Sequence, residues 1–380
     1  MARGAKIPTL PDDIVDSILL ELPVKSLLQF KSICKSWCCS IDDPEFVKSH
    51  LHKSFVDTNR QKILFISFEK IKPLGFTAKI RSTETSLGVD SKFTLLDPPI
   101  AGFLNDTYSG LKVSLCNGLV FLKNYTSMML WNPAIRKYKL IPSYAMPPLC
   151  WTYSIFGIAY DSVAEDYKIV HVKVTDEIHR DHIIEIYSVI NQSWRRMEDI
   201  RVPVGFRSIY RHPVSLNGTI NLIATSTRDK SECFVISFYL ADEKFIVTPF
   251  PRKDQNFFSW RLCTFANRVC ISATFEEKFS MWALEKDGKT GLLIWNNITA
   301  ILTSDSSIHK FPGGLVDLVC VKENENILWR YCNDEKGHFI EYDVQRKEAT
   351  EFKLEIEILL NKHLPLLHVE SLVSPKIQWD

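Results

Sequence analysis

The chain has 380 residues, of which 46% are hydrophobic and 24% charged, the balance of an ordinary globular protein with room for one large domain beside a small one. Its 46 basic and 45 acidic residues are interspersed and leave a formal charge of +1, so there is no electrostatic footprint for nucleic acid or an anionic membrane. No apolar run approaches the ~18 to 20 residues that span a bilayer, and no apolar leader precedes Pro11, which places the protein in the cytosol or nucleus as an expectation.

Residues 1–6 are expected to be a disordered N-terminus, and residues 7–54 read as a module of three short helices. Pro11 suits a helix start, and Ile14, Val15, Ile18, Leu19 and Leu22 follow at helical spacing until Pro23 stops the run. Leu27, Phe30, Cys34, Trp37 and Ile41 step by three and four, which predicts one continuous second helix with Lys25, Gln29, Lys31 and Lys35 off its apolar stripe. Asp43-Pro44-Glu45 is a third start signal, with a capping carboxylate, a proline and an acid near the positive end of the helix dipole. So short a module barely encloses a core of its own, which leaves apolar side chains such as Leu10, Ile14, Val24 and Leu28 for a partner or for the rest of the chain.

This stretch resembles the plant form of the F-box in Leu10-Pro11, Asp13-Ile14, Ile18-Leu19, Leu22-Pro23-Val24-Lys25-Ser26-Leu27, Phe30-Lys31, Cys34-Lys35-Ser36-Trp37 and Phe46. It departs at Cys38 and Cys39, where polar or basic residues are commoner. The resemblance implies docking to the Skp-type adaptor of a cullin-RING ubiquitin ligase. By position, that role falls to Leu10, Pro11, Ile14, Leu22, Pro23, Val24 and Leu27.

Residues 55–376 read as a large all-β domain, with short apolar and aromatic runs separated by Gly, Pro, Asn and Asp. A unit recurs within it, an aromatic, six mostly polar residues and a second aromatic: Trp131 to Tyr138, Tyr187 to Trp194 and Phe238 to Phe245. Tyr342 to Ala349 keeps the first aromatic alone, and a fifth copy begins at Trp282, with a longer turn before Trp295. Hairpins whose flanking aromatics meet across strands fit this pattern, and their spacing of 44 to 60 residues suits the blades of a β-propeller with six or seven blades. Asn117-Gly118 and Asn217-Gly218 supply turns that need positive φ, while Trp131, Trp194 and Trp282 are expected in the core.

Cys116-Asn117-Gly118-Leu119-Val120, Leu130 to Tyr138, Phe156 to Asp161 with Asp166 to Val170, Ile186-Tyr187-Ser188 and Ser193-Trp194-Arg195 together resemble the plant F-box associated domain, which is related to kelch-type propellers. Leu216-Asn217-Gly218 belongs to the same pattern, although Asn221-Leu222 stands where the family usually shows histidine and tryptophan. Glu370 to Pro375 matches the family's C-terminal strand, which in a propeller would close the ring onto the first blade. The domain order is shared with pollen S-locus F-box proteins.

The ten cysteines lie among hydrophobic neighbours and read as buried free thiols; Cys34, Cys38 and Cys39 lack a second pair at zinc spacing. Five glycosylation sequons, at Asn105, Asn124, Asn191, Asn217 and Asn297, read as turns. No phosphate loop, nucleophile elbow or metalloprotease helix is present, so neither catalysis nor a cofactor is expected. His171, His179 and His182, with Asp176, Glu177 and Asp181 between them, read as a solvated loop in preference to a metal site.

The resemblance therefore implies a non-catalytic receptor that binds the adaptor, and through it cullin and RING subunits, while the β domain holds a target protein. Loops carrying aromatics with arginine point to Trp151, Tyr153, Tyr210, Arg211, Phe257, Phe258 and Trp260 as target contacts, against core packing for each. The alternative is a carbohydrate- or ligand-binding propeller that acts outside a ligase.

Overall fold

The computed structural model describes residues 10–57, 60–71, 75–85, 92–105, 111–143, 154–174, 182–197, 206–208, 212–226, 232–251, 259–275, 278–302, 315–322, 326–333, 336–353 and 365–375. Helices α1 (Asp12–Leu20), α2 (Val24–Phe30), α3 (Lys35–Asp42) and α4 (Pro44–Val56) come first. There are thus four helices here, not three, because the expected second helix breaks at residues 31–34. The Ser32 hydroxyl donates back to the Gln29 carbonyl at 2.6 Å, competing with helical continuation, and Cys34 is extended at φ −154°. The break lets Leu27 and Ile41 enter one core while Phe30 packs on Trp37 at 5.5 Å. Asp43 caps α4 as its sequence indicates, accepting from the Glu45 and Phe46 amides at 2.9 and 3.2 Å.

Six antiparallel sheets follow as blades. The first contains β1 (Gln61–Ile71), β2 (Gly75–Glu84) and β3 (Thr94–Leu96), and the second β4 (Lys112–Cys116), β5 (Leu119–Lys123), β6 (Met128–Asn132) and β7 (Lys137–Ile141). The third contains β8 (Ser154–Asp161), β9 (Asp166–Val174), β10 (His182–Ser188) and β11 (Ser193–Arg196). In the fourth, β12 (Phe206–Ser208) and β13 (Val214–Leu216) both pair with β14 (Thr219–Ser226), followed by β15 (Cys233–Tyr239) and β16 (Lys244–Pro249). The fifth is β17 (Ser259–Phe265), β18 (Arg268–Thr274), β19 (Lys278–Lys286) and β20 (Leu293–Leu302). The sixth is β21 (Leu315–Val321), β22 (Ile327–Asn333), β23 (Lys336–Asp343) and β24 (Glu348–Lys353). Finally β25 (Pro365–Val369) returns to pair with β1 and completes the first blade from its inner side. The closing strand thus lies just before the Glu370 to Pro375 motif, which instead packs against blade two.

The expected aromatic pairs meet in register: Trp131 faces Tyr138, Tyr187 faces Trp194 with rings 5.2 Å apart, and Phe238 faces Phe245 at 4.6 Å. Tyr342 faces Ala349 in the degenerate copy. The fifth copy differs, since a bulge between Met281 and Trp282 shifts the register, Trp282 faces Asn297 and Trp295 faces Leu284. Trp295 instead donates its indole N–H to the Pro249 carbonyl of the preceding blade at 2.7 Å, as Trp194 does to Pro142 at 2.7 Å.

The inner strands β4, β8, β13, β17, β21 and β25 border the ring axis. Arg261 on β17 reaches across to the Leu318 carbonyl of β21 at 2.8 Å and to the Pro365 carbonyl of β25, so one guanidinium joins three blades at the closure. Among the described residues the cysteines are free thiols, and burial pushes those of Cys116, Cys270 and Cys320 up to about 12, which keeps them protonated and unreactive.

Candidate functional site

The ring has two unlike ends. At one, inner strands run into short turns such as Asn117-Gly118, where φ is +52° and +78°, and Asn217-Gly218, at +46° and +70°. The helices sit at this end. Lys48 of α4 pairs with Glu165 in the β8–β9 turn at 3.0 Å, and Leu19, Val24, Leu27, Ile41, Phe46 and Val47 share a core with strands of blades two and three and with Leu372 and Val373. Arg60, just before β1, donates to the carbonyls of Leu20 and Glu21 at 3.0 and 2.9 Å and so fixes the end of α1 to the propeller. The His50 Nε2–H donates to the Leu22 carbonyl at 2.9 Å, and burial holds its imidazole pKa below the ordinary value.

These anchors use one side of the helical module and leave the other bare. Ile14 and Ile18, one turn apart on α1, are 43% and 51% exposed, Leu10 just before the helix is 60% exposed, and Pro11 and Pro23 are exposed beside them. Leu22 is half-buried. Val24 and Leu27 belong to the opposite side, 2% and 0% exposed in the chain's own core, so the structure separates them from the other adaptor candidates. Ile18, and Ile33 at 59% exposure, join the bare surface. Ile18 was visible as a member of the α1 stripe, whereas Ile33 is displayed by the α2–α3 break, which helical periodicity hides.

At the opposite end, the inner strands begin, after long segments that arrive from the preceding blade's outer strand. Of the target-contact candidates, Trp151, Tyr153, Tyr210, Arg211, Phe257 and Phe258 lie outside the described residues. Trp260 is half-buried at the start of β17, its ring edge-on to Phe250 at 5.8 Å and 76°, which makes it a packing residue of blade five.

The histidine cluster resolves in part. His171 is buried, stacked on Phe156 at 4.1 Å, with Nδ1–H donating to Glu185 at 2.9 Å and Nε2 accepting from the Ser154 hydroxyl at 3.1 Å. Burial lowers its pKa against the opposing pull of Glu185. His179, Asp176, Glu177 and Asp181 lie outside the described residues, as does the side chain of His182. Among the described residues, no three His, Cys, Asp or Glu side chains converge to hold a metal, and no helix is long and apolar enough to cross a membrane.

Comparison with known proteins agrees with this division. Residues 7–49 match the F-box domain family, and residues 97–366 match the F-box associated beta propeller domain family. Among relatives in Arabidopsis thaliana, a putative F-box protein is 24% identical over 334 residues, covering 82% of this chain and 83% of its own length. A putative F-box/kelch-repeat protein is 26% identical over 81% of this chain and 80% of its own, and F-box protein CPR1 is 28% identical over 50% and 46%. The helical module bare on one side, seated on a six-bladed ring, is thus that of a family member: the chain belongs to the F-box proteins that carry an F-box associated β-propeller domain.

Proposed function

We propose that this chain is the substrate-recognition subunit of an SCF-type cullin-RING ubiquitin ligase. The observation that carries the proposal is the row Leu10, Ile14 and Ile18, left bare within the F-box match while the rest of the module is anchored to the propeller. An apolar row of this kind is a docking surface, and a Skp-type adaptor is its occupant, contacted by Leu10, Pro11, Ile14, Ile18, Leu22, Pro23 and Ile33. Val24 and Leu27 support that surface from beneath. The target protein is held at the opposite end of the ring, and the cullin and RING subunits reach the chain through the adaptor. The receptor acts by raising the effective concentration of target near the ubiquitin carrier, and its side chains break no bond. It works in the cytosol or nucleus, where such ligases meet their targets.

The test is co-purification of the full chain with a plant Skp-type adaptor. Leu10→Ala/Ile14→Ala/Ile18→Ala should abolish retention with an unchanged melting temperature, whereas Leu292→Ala, at a 66% exposed position on blade five, should bind as wild type. A folded wild-type chain that fails to retain the adaptor rejects the proposal.

A further inference from the structure

Blades two and three face each other through strand positions of unusual charge. On blade two, Lys112 of β4 stands directly opposite Lys123 of β5. At such positions β-carbons lie about 5 Å apart and like charges repel. Both side chains are half-buried, and burial holds both ammonium pKa values below the ordinary lysine range, with the Lys112 charge adding to the effect on Lys123. Lys123 has partial compensation, donating to the Asn124 carbonyl at 3.1 Å and lying 5.5 Å over the Phe156 ring of blade three. Lys112 has no hydrogen bond or ion pair among the described residues.

Blade three carries another cation, Lys173, whose charge bears on His171 together with that of Lys123. Lys173 of β9 pairs with Ser154 of β8, and the carboxylate on that face, Glu185, is occupied by His171 at 2.9 Å. His212, whose Nδ1–H donates to the Val113 carbonyl at 2.9 Å, feels the Lys112 and Arg261 charges. The cluster stands where β4 and β8 begin and β5 ends, at the end of the ring opposite the helices.

A half-buried pair of ammonium groups with no counter-charge among the described residues is a destabilising arrangement that an anion would correct. Two adjacent positive charges match a dianion better than a carboxylate, and a phosphate group carries about −1.5 to −2 at neutral pH with three acceptor oxygens. We infer that blade two, at the end of the ring opposite the helices, binds a phosphate group through the cross-strand pair Lys112 and Lys123. In assigning that end to the target, this inference rests on the receptor reading above, and it names the feature read there: a phosphorylated side chain. A free phosphate compound shares the chemistry, so the test separates the two sources.

The full-length chain is titrated with inorganic phosphate, and with chloride at matched ionic strength, while binding and melting temperature are followed. Phosphate should raise the melting temperature by several degrees and chloride should not. Lys112→Gln and Lys123→Gln should each weaken phosphate binding at least tenfold, and in phosphate-free buffer each should melt no lower than wild type, because the repulsion is relieved. Lys244→Gln, on the outer strand of blade four, should respond as wild type. Equal stabilisation by chloride, or an undiminished phosphate response in both the Lys112 and Lys123 variants, overturns the inference. A phosphoserine peptide that binds more tightly than inorganic phosphate, and loses that advantage when dephosphorylated, assigns the site to a modified target; tighter binding of the free anion assigns it to a phosphate compound. Adaptor retention is scored on the same preparations. Retention without a phosphate response defeats this inference alone, and a phosphate response without retention defeats the receptor reading alone.

Discussion

Among the described residues, the outer hairpins of blades two, three, four and six end their turns on a residue in the left-handed region: Arg136, Gln192, Glu243 and Lys347, at φ +56°, +53°, +51° and +57°. Each stands five positions after the blade's first aromatic, so a single turn geometry repeats around the ring without a glycine to ease it. A side chain there costs about 1–2 kcal/mol, which glycine's greater freedom when unfolded partly offsets. Lys347→Gly, at an exposed position, should stabilise the protein by about 0.5 to 1 kcal/mol in chemical denaturation. Gly118 shows the reverse case. Its φ is +78°, and an added β-carbon would come within 2.3 Å of Ser371 Oγ and 2.8 Å of the Val369 carbonyl oxygen, so Gly118→Ala should lower the melting temperature sharply. Acid should destabilise the molecule through its histidines. His368, whose Nε2–H donates to the Gly118 carbonyl at 3.1 Å, has its pKa pushed down by burial to about 4, and His212 likewise. The unfolded chain takes up these protons near pH 6.5 and the folded one does not, so stability is complete above about 6.5 and is lost as pH falls toward 4. For His368 the loss is about 3 kcal/mol. His368→Gln, which keeps a donor for Gly118, should flatten the dependence of melting temperature on pH across that window; an unchanged slope would refute the assignment.

At the scale of elements, the α1 and α2 faces give opposite expectations for similar residues. Leu27 is sealed between helices and propeller, and its truncation should cost about 2–5 kcal/mol with loss of adaptor binding as a consequence of unfolding. Ile14→Ala should leave denaturation almost unchanged and weaken adaptor binding directly. Periodicity showed both residues as apolar members of helical stripes and could not say what covers them, and the docking set was carried over by position from the F-box resemblance, so Val24 and Leu27 entered it while Ile33 did not. The blades were legible because the aromatic-turn-aromatic unit encodes a pairing register locally, and Trp131, Tyr187 and Phe238 all met the partners that their spacing named. Trp282 and Trp295 failed because their register depends on a bulge, and each tryptophan finds its contacts elsewhere, Trp295 on the neighbouring blade. Ala266-Asn267, at φ +47° and +56°, forms a tight turn of the same kind as Asn117-Gly118 but carries no glycine to announce it. The lysine pair was invisible for a different reason. Lys112 and Lys123 become neighbours only through the β4–β5 register, and a chain with near-zero net charge gives no hint of a local excess.

For the whole molecule, the C-terminal segment does two separable jobs, closing the ring and seating the helices. β25 closes it by pairing Pro365 to Val369 with Phe65 to Gln61, and Arg261 clasps the Pro365 carbonyl from across the axis. Ser371, Leu372 and Val373 then turn under blade two. The Asn132 amide donates to the carbonyls of Ser371 and Val373 at 2.9 and 2.8 Å, and the Ser371 hydroxyl donates to the Asn117 carbonyl at 2.8 Å. Leu372 and Val373 enter the core that the helices share. A chain ending at Val369 keeps the closing strand and loses about 3–6 kcal/mol of apolar burial beneath the helices. Calorimetry on it should show the helical module melting in a separate, earlier transition, with the propeller transition little changed. A chain ending at residue 364 leaves the inner edge of β1 unpaired and Arg261 without one of its acceptors. It should lose the main cooperative transition and associate in a concentration-dependent way through the exposed strand edge. If instead it unfolds like the full-length chain, ring closure by β25 does not hold the propeller together, and the helices are tied to the ring through Arg60 and the blade-two core alone.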